Sequence, residues 1–419
     1  MKKAGVVCLA VLFLLSLAGI ASATNGYFSH GYSIKNKALA GAGVALPLDA
    51  LSASMNPAGM VSVGSRIDVG LSLFNPNREY KVKGTPSPPP AFGLMPGTVE
   101  SDSEWFVIPS FGFNKMLNDR NSVGVSIYGN GGMNTDYDTN TFHGSSPTGI
   151  DLMQLFVVPT YAVKLHPKHA IGISPILAYQ TFEAQGFEAF RNFSTNPSKL
   201  TNKGHDDSFG YGVRIGYLGE MLTNLFLGAS YQSRIFMTEF DDYKGLFAEQ
   251  GDFDIPSNWT IGLAYKATPA LTFMADVQTI YYSDVDSVGN PLSASKLMQG
   301  KTLLGSDSGA GFGWDDMTVF KFGVQWQSSQ DWIWRGGFSY GEQPISDSQV
   351  LFNIVAPGVI EYHATLGVTK KIGNKHELDF AIMRGFPKEV KGPNALDPQQ
   401  TIELKMDQWE FSVGYSYKF

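Results

Sequence analysis

"WEFSVGYSYKF", Trp409 to Phe419, ends the chain on a strict alternation. Trp409, Phe411, Val413, Tyr415, Tyr417 and Phe419 share one parity; Glu410, Ser412, Gly414, Ser416 and Lys418 share the other. A period of two marks a strand whose two faces meet different surroundings. Here one face is large and aromatic, the other small, polar or charged. Read backwards from this stretch, the pattern recurs at 378–382, 362–368, 332–340, 320–326, 271–281 and 259–265. It continues at 225–235, 209–217, 155–165, 105–113 and 67–73. Aromatic residues gather near the ends of these rows, as a membrane girdle requires. The rows are also close to the roughly 9–11 residues with which a tilted strand crosses a bilayer.

The connections alternate in length. "LNDRN", "HPKH", "EMLTN", "ATPA", "SSQD" and "IGNK" are short, whereas 84–103, 134–152, 186–207, 241–256, 285–314, 345–358 and 390–402 are long. This count predicts an all-β fold, a transmembrane antiparallel β-barrel of about 14 strands with both ends on the periplasmic side. A soluble β-sandwich is the competing all-β reading, but a closed barrel alone leaves no strand edge facing lipid. The terminal Phe419 resembles the signature by which the barrel-assembly machinery recognises outer-membrane proteins.

"MKKAGVVCLAVLFLLSLAGIASA" has two lysines, an apolar run and a small-residue end, which predicts a signal peptide over 1–23. The one cysteine, Cys8, falls within it, so no disulfide or thiolate chemistry is expected of the mature chain. Without Lys2 and Lys3, 29 basic residues stand against 38 acidic ones, which argues against nucleic acid as a partner. No Gly-x-Ser-x-Gly elbow or phosphate loop occurs, and His166 and His169 share a turn, not a helix face. No enzyme, metal or cofactor is predicted.

Residues 24–64 precede the first strand and are too few to hold a core of their own. "ALAGAGVALPLDALSASMNPAGM", Ala38 to Met60, is rich in small residues and has one charge, Asp49, unlike disordered composition. A barrel of this size has a lumen, and a small-residue segment broken by Pro47 and Pro57 suits a plug of short helices inside it. The expected division is therefore 1–23 signal peptide, 24–64 hatch and 65–419 barrel.

The stretch after the leader, with Gly41-Ala42-Gly43, Asp49 and Asn56-Pro57-Ala58, resembles the hatch of the FadL family. These are outer-membrane channels for long-chain fatty acids and, in other branches, aromatic hydrocarbons. The resemblance covers essentially the whole mature chain. It implies passive transport, a hatch marked by Asn56, Pro57 and Ala58, and an aromatic N-terminus near the binding site, here Tyr27 and Phe28. It also implies a lateral opening at a kink in the third strand. In this chain "YGNGGMNTDY" interrupts that strand at Gly129, Gly131 and Gly132, where glycine marks a bulge or simply a strand end.

Inward parity places Arg214, Arg234, Lys266, Lys321 and Arg335 toward the lumen. Arg214, Arg234 and Lys321 are the candidate partners of a substrate carboxylate. The alternative is that they pair with lumen acids such as Asp68, Asp276 or Glu410. The aromatic loops at Phe187–Phe193 and Tyr243–Phe253 suit either capture of an apolar ligand at an exposed surface or packing among themselves. The expected function is outer-membrane uptake of hydrophobic compounds, fatty acids first and aromatic or aliphatic hydrocarbons second, in a Gram-negative bacterium. A lipid-hydrolysing barrel and an adhesin or receptor are the competitors from other classes. The expected partners are the hydrophobic ligand, outer-membrane lipid and lipopolysaccharide, with the barrel itself a monomer.

Overall fold

The computed structural model describes residues 24–419, so the leader predicted over 1–23 lies outside the described residues. Sixteen strands form one antiparallel sheet. They are β1 (Arg66–Lys83), β2 (Gly97–Glu100), β3 (Phe106–Met116), β4 (Asn121–Asp136), β5 (Gly149–His166) and β6 (His169–Gln185). Next come β7 (Asp206–Leu222), β8 (Leu225–Gln232), β9 (Phe236–Met237), β10 (Asn258–Thr268) and β11 (Leu271–Ile280). The last are β12 (Met317–Gln327), β13 (Trp332–Gly341), β14 (Tyr362–Ile372), β15 (His376–Asn394) and β16 (Asp397–Lys418). β16 pairs with β1 from Lys418↔Arg66 to Thr401↔Lys83, which closes the barrel. Fourteen strands make the wall. The other two are short additions: β2 pairs with the upper part of β1, and β9 with β7.

Alternation holds along most wall strands, with β4 buried on both sides from Ser126 to Met133, and along β16 its polarity changes with height. In β16, Phe411 and Val413 face outward and are exposed, while Glu410, Ser412 and Ser416 are buried. Further up the same strand, Ile402, Leu404 and Met406 point inward and are buried, and Glu403, Lys405 and Asp407 face outward. This corrects one expectation. Residues 390–402 are not a loop: β15 and β16 run through them to a turn at 395–396. Likewise 134–152 shrinks to a connection of 137–148. The strands continue because a row that leaves the bilayer needs water-compatible residues outside and can turn its apolar residues in. Arg384 stacks over Trp409 at 4.7 Å where the change occurs, a cation above an interfacial aromatic.

The N-terminal segment lies inside the ring of strands, since it bonds to inward residues from all round the wall. Lys35 reaches Glu377 at 2.5 Å, and Lys37 bonds Glu410. Asp276 accepts the amides of Gly43 and Val44 at 2.7 and 2.9 Å, and Asp68 accepts that of Ala50 at 2.8 Å. Short helical turns form at Ile34–Lys37, Ser52–Ser54 and Pro57–Ser62; the first is capped by the Ser33 side chain and the last by Asn56, with Pro57 at its start. Among the described residues no helix is long and apolar enough to cross a membrane.

Candidate functional site

Above the N-terminal segment the long connections fold inward and meet. Phe182 on β6, Phe187, Phe247, Phe312 and Phe352 enclose an apolar cavity of about 30 Å³. Leu246, Leu304 and Val355 complete its wall, and no charged residue lines it. Two or three waters would fill such a space, so in this state it is closed around itself. The aromatic loops are therefore not an exposed surface: Phe190, Tyr243 and Phe253 are buried, and their rings meet Phe352, Phe182 and Phe247 in edge-on or tilted contacts. Loops that must cover a wide barrel mouth have more apolar surface to gain by packing over the lumen than by facing water.

Tyr27 and Phe28 join this core from below. Tyr27 lies 5.1 Å from Tyr282, 5.8 Å from Trp314 and 6.1 Å from Phe253, ring to ring. The Tyr282 hydroxyl donates to the Asn25 carbonyl at 2.5 Å and accepts the Phe28 amide at 3.3 Å. Trp314 in turn donates to the Asn353 side chain at 2.6 Å. Tyr282, Trp314, Phe312 and Phe352 were not singled out from the sequence. They lie in long connections without periodicity, and their aromatic content was the only available signal.

The same segment meets the third wall strand at its break. β3 pairs with β4 only as far as Ser110↔Tyr128. Beyond that, β4 keeps its partner β5 through a bulge between Gly129 and Gly131, and the N-terminal segment takes the place of β3. The Ser29 amide donates to Asn130 and the Gly132 amide to Tyr27, each at 3.0 Å, around a bridge between Phe28 and Gly131. A Cβ on Gly131 would lie 1.8 Å from the Tyr27 carbonyl oxygen, so glycine is needed there. The break closes again higher up, where the Asp102 amide donates to Asp136 at 2.7 Å.

Asn56, Pro57 and Ala58 form a capped turn. The Asn56 side chain accepts the Ala58 amide at 3.1 Å and donates to the carbonyls of Val44 and Tyr217 at 2.9 and 2.8 Å. The wall is cut away to receive it: a Cβ on Gly216 would lie 2.1 Å from Asn56 Oδ1.

The five cations of inward parity separate. Arg234 lies beyond the end of β8, bonded to Asp254 at 2.5 Å and near Asp252 at 3.5 Å, so the acids of its own loop occupy it. Asp252 is pushed up to about 7 by burial and by the adjacent Asp254. Lys266 is exposed near the turn that joins β10 to β11, over Phe226 at 4.6 Å. Arg335 bonds Gln325 and Thr369 at 2.8 and 2.5 Å. Arg214 and Lys321 are buried and, among the described residues, have no carboxylate oxygen within 4.0 Å. Of the acids expected to pair with them, Asp68 and Glu410 are engaged by Arg66 and Lys37, whereas Asp276 stands opposite Lys321 in register while accepting the amides of Gly43 and Val44.

The family described as outer membrane protein transport protein (OMPP1/FadL/TodX) matches residues 14–419. A comparison with curated proteins found no match. Among solved structures, a FadL homologue of Pseudomonas aeruginosa is 16% identical with a TM-score of 0.71, over 94% of this chain and all of that one. The Pseudomonas putida toluene transporter TodX is 18% identical with a TM-score of 0.69, over 94% of this chain and 100% of that one. The Ralstonia pickettii toluene transporter TbuX is 18% identical with a TM-score of 0.64, over 93% and 99%. At such identities the structures speak for a common fold. The family match extends over nearly the whole sequence and places this chain in the OMPP1/FadL/TodX family of outer-membrane transport proteins.

Proposed function

We propose that the barrel carries hydrophobic molecules passively from the cell surface into the outer membrane, with long-chain fatty acids as the leading substrate. One observation carries the reading: a cavity without charge, built by four connections, continues through buried aromatic rings to the strand break at Gly131. Exposing one CH₂ to water costs about 0.8 kcal/mol, so a 16-carbon tail costs on the order of 12 kcal/mol. A water-filled pore would impose that cost along its whole length, whereas a dry path ending at the lipid avoids it. In this scheme the loops take up the ligand by parting their rings. Residues 24–33 act as the movable part of the hatch, and withdrawal of Phe28 from Gly131 uncovers a lateral exit. Gly129 and Gly132 belong to the same exit.

The fatty-acid reading is favoured by Arg214 and Lys321, buried cations that, among the described residues, form no ion pair within 4.0 Å. Arg234 is withdrawn as a carboxylate partner because Asp254 holds it. Toluene and alkanes are the second reading, favoured by the absence of charge in the upper cavity. Family membership supports a channel in preference to an enzyme. Assembly through Phe419, contact with lipopolysaccharide and a monomeric barrel complete the proposal. Binding of oleate, toluene and dodecane to the purified barrel tests it. Oleate binding weakened at least tenfold by Arg214→Gln, with dodecane unaffected, is the expected result. Equal effects on both would remove the carboxylate role, and no binding of any of the three would remove the transport reading.

A further inference from the structure

The N-terminal segment and the wall enclose a second, separate cavity of about 20 Å³. It shares no lining residue with the apolar one. His30 and Asn36 line it from the segment, Thr260 and Gln278 from the wall, together with Arg214 on β7 and Lys321 on β12. No Asp or Glu lines it.

Arg214 and Lys321 are 3% and 4% exposed. Arg214 gives its hydrogen bonds to neutral acceptors only: the Ala53 carbonyl at 3.2 Å, the Tyr128 hydroxyl at 2.9 Å and the Gln232 side chain. Asp276 stands opposite Lys321 in register and is the acid nearest to its charge. One of its oxygens accepts the amides of Gly43 and Val44, and the other, outside this cavity, is buried without a hydrogen-bond partner. His30 adds no negative charge. Burial first, then Lys37 and Lys321, lower its pKa to about 4, with Glu410 pulling the other way. Charges removed from water are ordinarily paired, and these two face one space with no anion of the chain in it. That space admits an occupant the size of a water molecule. A water would leave the Arg214 charge uncompensated, and while the segment is closed a carboxylate on a long chain does not fit.

We propose that the Arg214–Lys321 cavity binds a small inorganic anion, of which chloride is the abundant example, and that this anion neutralises the closed N-terminal segment against the wall. An acidic ligand that reaches these cations then has to displace it. The displacement rests on the fatty-acid reading above; occupancy by the anion does not.

The test uses the purified barrel with its N-terminal segment, at constant ionic strength, with bromide replacing gluconate. The thermal midpoint should rise by about 3 °C and saturate, as for a ligand bound only by the folded state. Arg214→Gln and Lys321→Met should abolish the rise, and Arg214→Lys should keep part of it. Crystals grown with bromide should show an anomalous peak between the guanidinium and the ammonium. No bromide-specific rise together with no peak means a cavity holding only water, and the proposal falls. This comparison needs only the wild-type chain, so it decides even if a variant does not fold. With displacement, bromide should weaken oleate binding about tenfold and leave dodecane unchanged. Oleate binding indifferent to bromide overturns that clause alone. If neither ligand binds while the thermal rise remains, the transport reading fails and the anion site stands.

Discussion

The lower and upper halves of this barrel share strands but not chemistry. Around the N-terminal segment, large apolar residues face out and the lumen joins ion pairs, Lys35, Lys37 and Arg66 against Glu377, Glu410 and Asp68, to a cluster of mostly small apolar side chains. In the upper half, most charges of β1, β15 and β16 face out, Arg78 and Asp397 being buried exceptions, and the lumen is filled chiefly by aromatic and aliphatic side chains. The difference locates the motion. Buried ion pairs in a low dielectric are directional, and breaking one strands its partner. Apolar contacts are weak singly and non-directional, so rings can part around a ligand and close again. The lower half is built to stay, the upper half to yield.

The largest effect should come from breaking the lower lock. Lys37→Met leaves Glu410, 1% exposed, without its ammonium and should cost about 3–5 kcal/mol, seen as a lowered thermal midpoint. Lys37→Met combined with Glu410→Gln should recover most of the loss. If the double variant is as unstable as the single, charge is not what holds the segment. Next in size is reversal of polarity in the upper half. Ile402→Asp puts a carboxylate into the apolar core and should cost about 3 kcal/mol. Three residues along, on the outer face, Lys405→Ala breaks only a 3.7 Å contact with Glu79 and should change stability by about 0.5 kcal/mol or less. Equal costs at the two positions would deny that the inner and outer faces differ there.

Gly131→Val tests where the halves meet. Its side chain cannot coexist with the Tyr27 carbonyl, so the segment around Phe28 should lift, with amides 28–32 exchanging faster while the barrel stays folded. If that contact gates the exit, uptake of a labelled fatty acid should change by about tenfold, since a displacement worth about 1.4 kcal/mol already gives that factor. Faster exchange with unchanged uptake would place the exit elsewhere.

Much of the lower half was legible in the sequence, because lipid outside and a lumen face of small or polar residues inside write a strong alternation. Trp409 to Phe419 shows it in eleven residues. The same period continues through Ile402, Leu404 and Met406, but with polarity reversed and without aromatics, so a search for lipid-facing rows ends too early. Arg234 shows another limit. Its parity is right only if β8 continues, and the strand ends at Gln232, beyond which side-chain direction no longer follows from counting. Asn56-Pro57-Ala58 was visible as a motif, but the glycine that makes room for it, Gly216, lies 160 residues away in sequence and gains meaning only from the pairing of the wall. The cations outside ion pairs depended on knowing that Lys37 and Arg66 had already taken Glu410 and Asp68. No local pattern carries that information.

The smallest expected effect concerns a charge left inside the yielding half. Asp252 shares Arg234 with Asp254, which makes the closer contact, and burial raises the Asp252 pKa from the usual carboxylate value to about 7. Glu249, nearby, is shifted upward as well, mainly by burial and then by Asp286. A carboxyl whose pKa is higher in the folded than in the unfolded state favours folding while it stays protonated. That contribution is full below about pH 4, declines as pH rises toward 7, and is gone above it. The loop around Asp252 should therefore exchange its amides a few-fold faster at pH 8 than at pH 5.5, after correction for intrinsic rates. Asp252→Asn should flatten the dependence. Because the lower lock has its own acids and bases paired, amides 34–38 should show no comparable change over this range. Should both halves respond alike, the titrating group is not Asp252, and the contrast between a locked lower lumen and a yielding upper one would have to be drawn without charge.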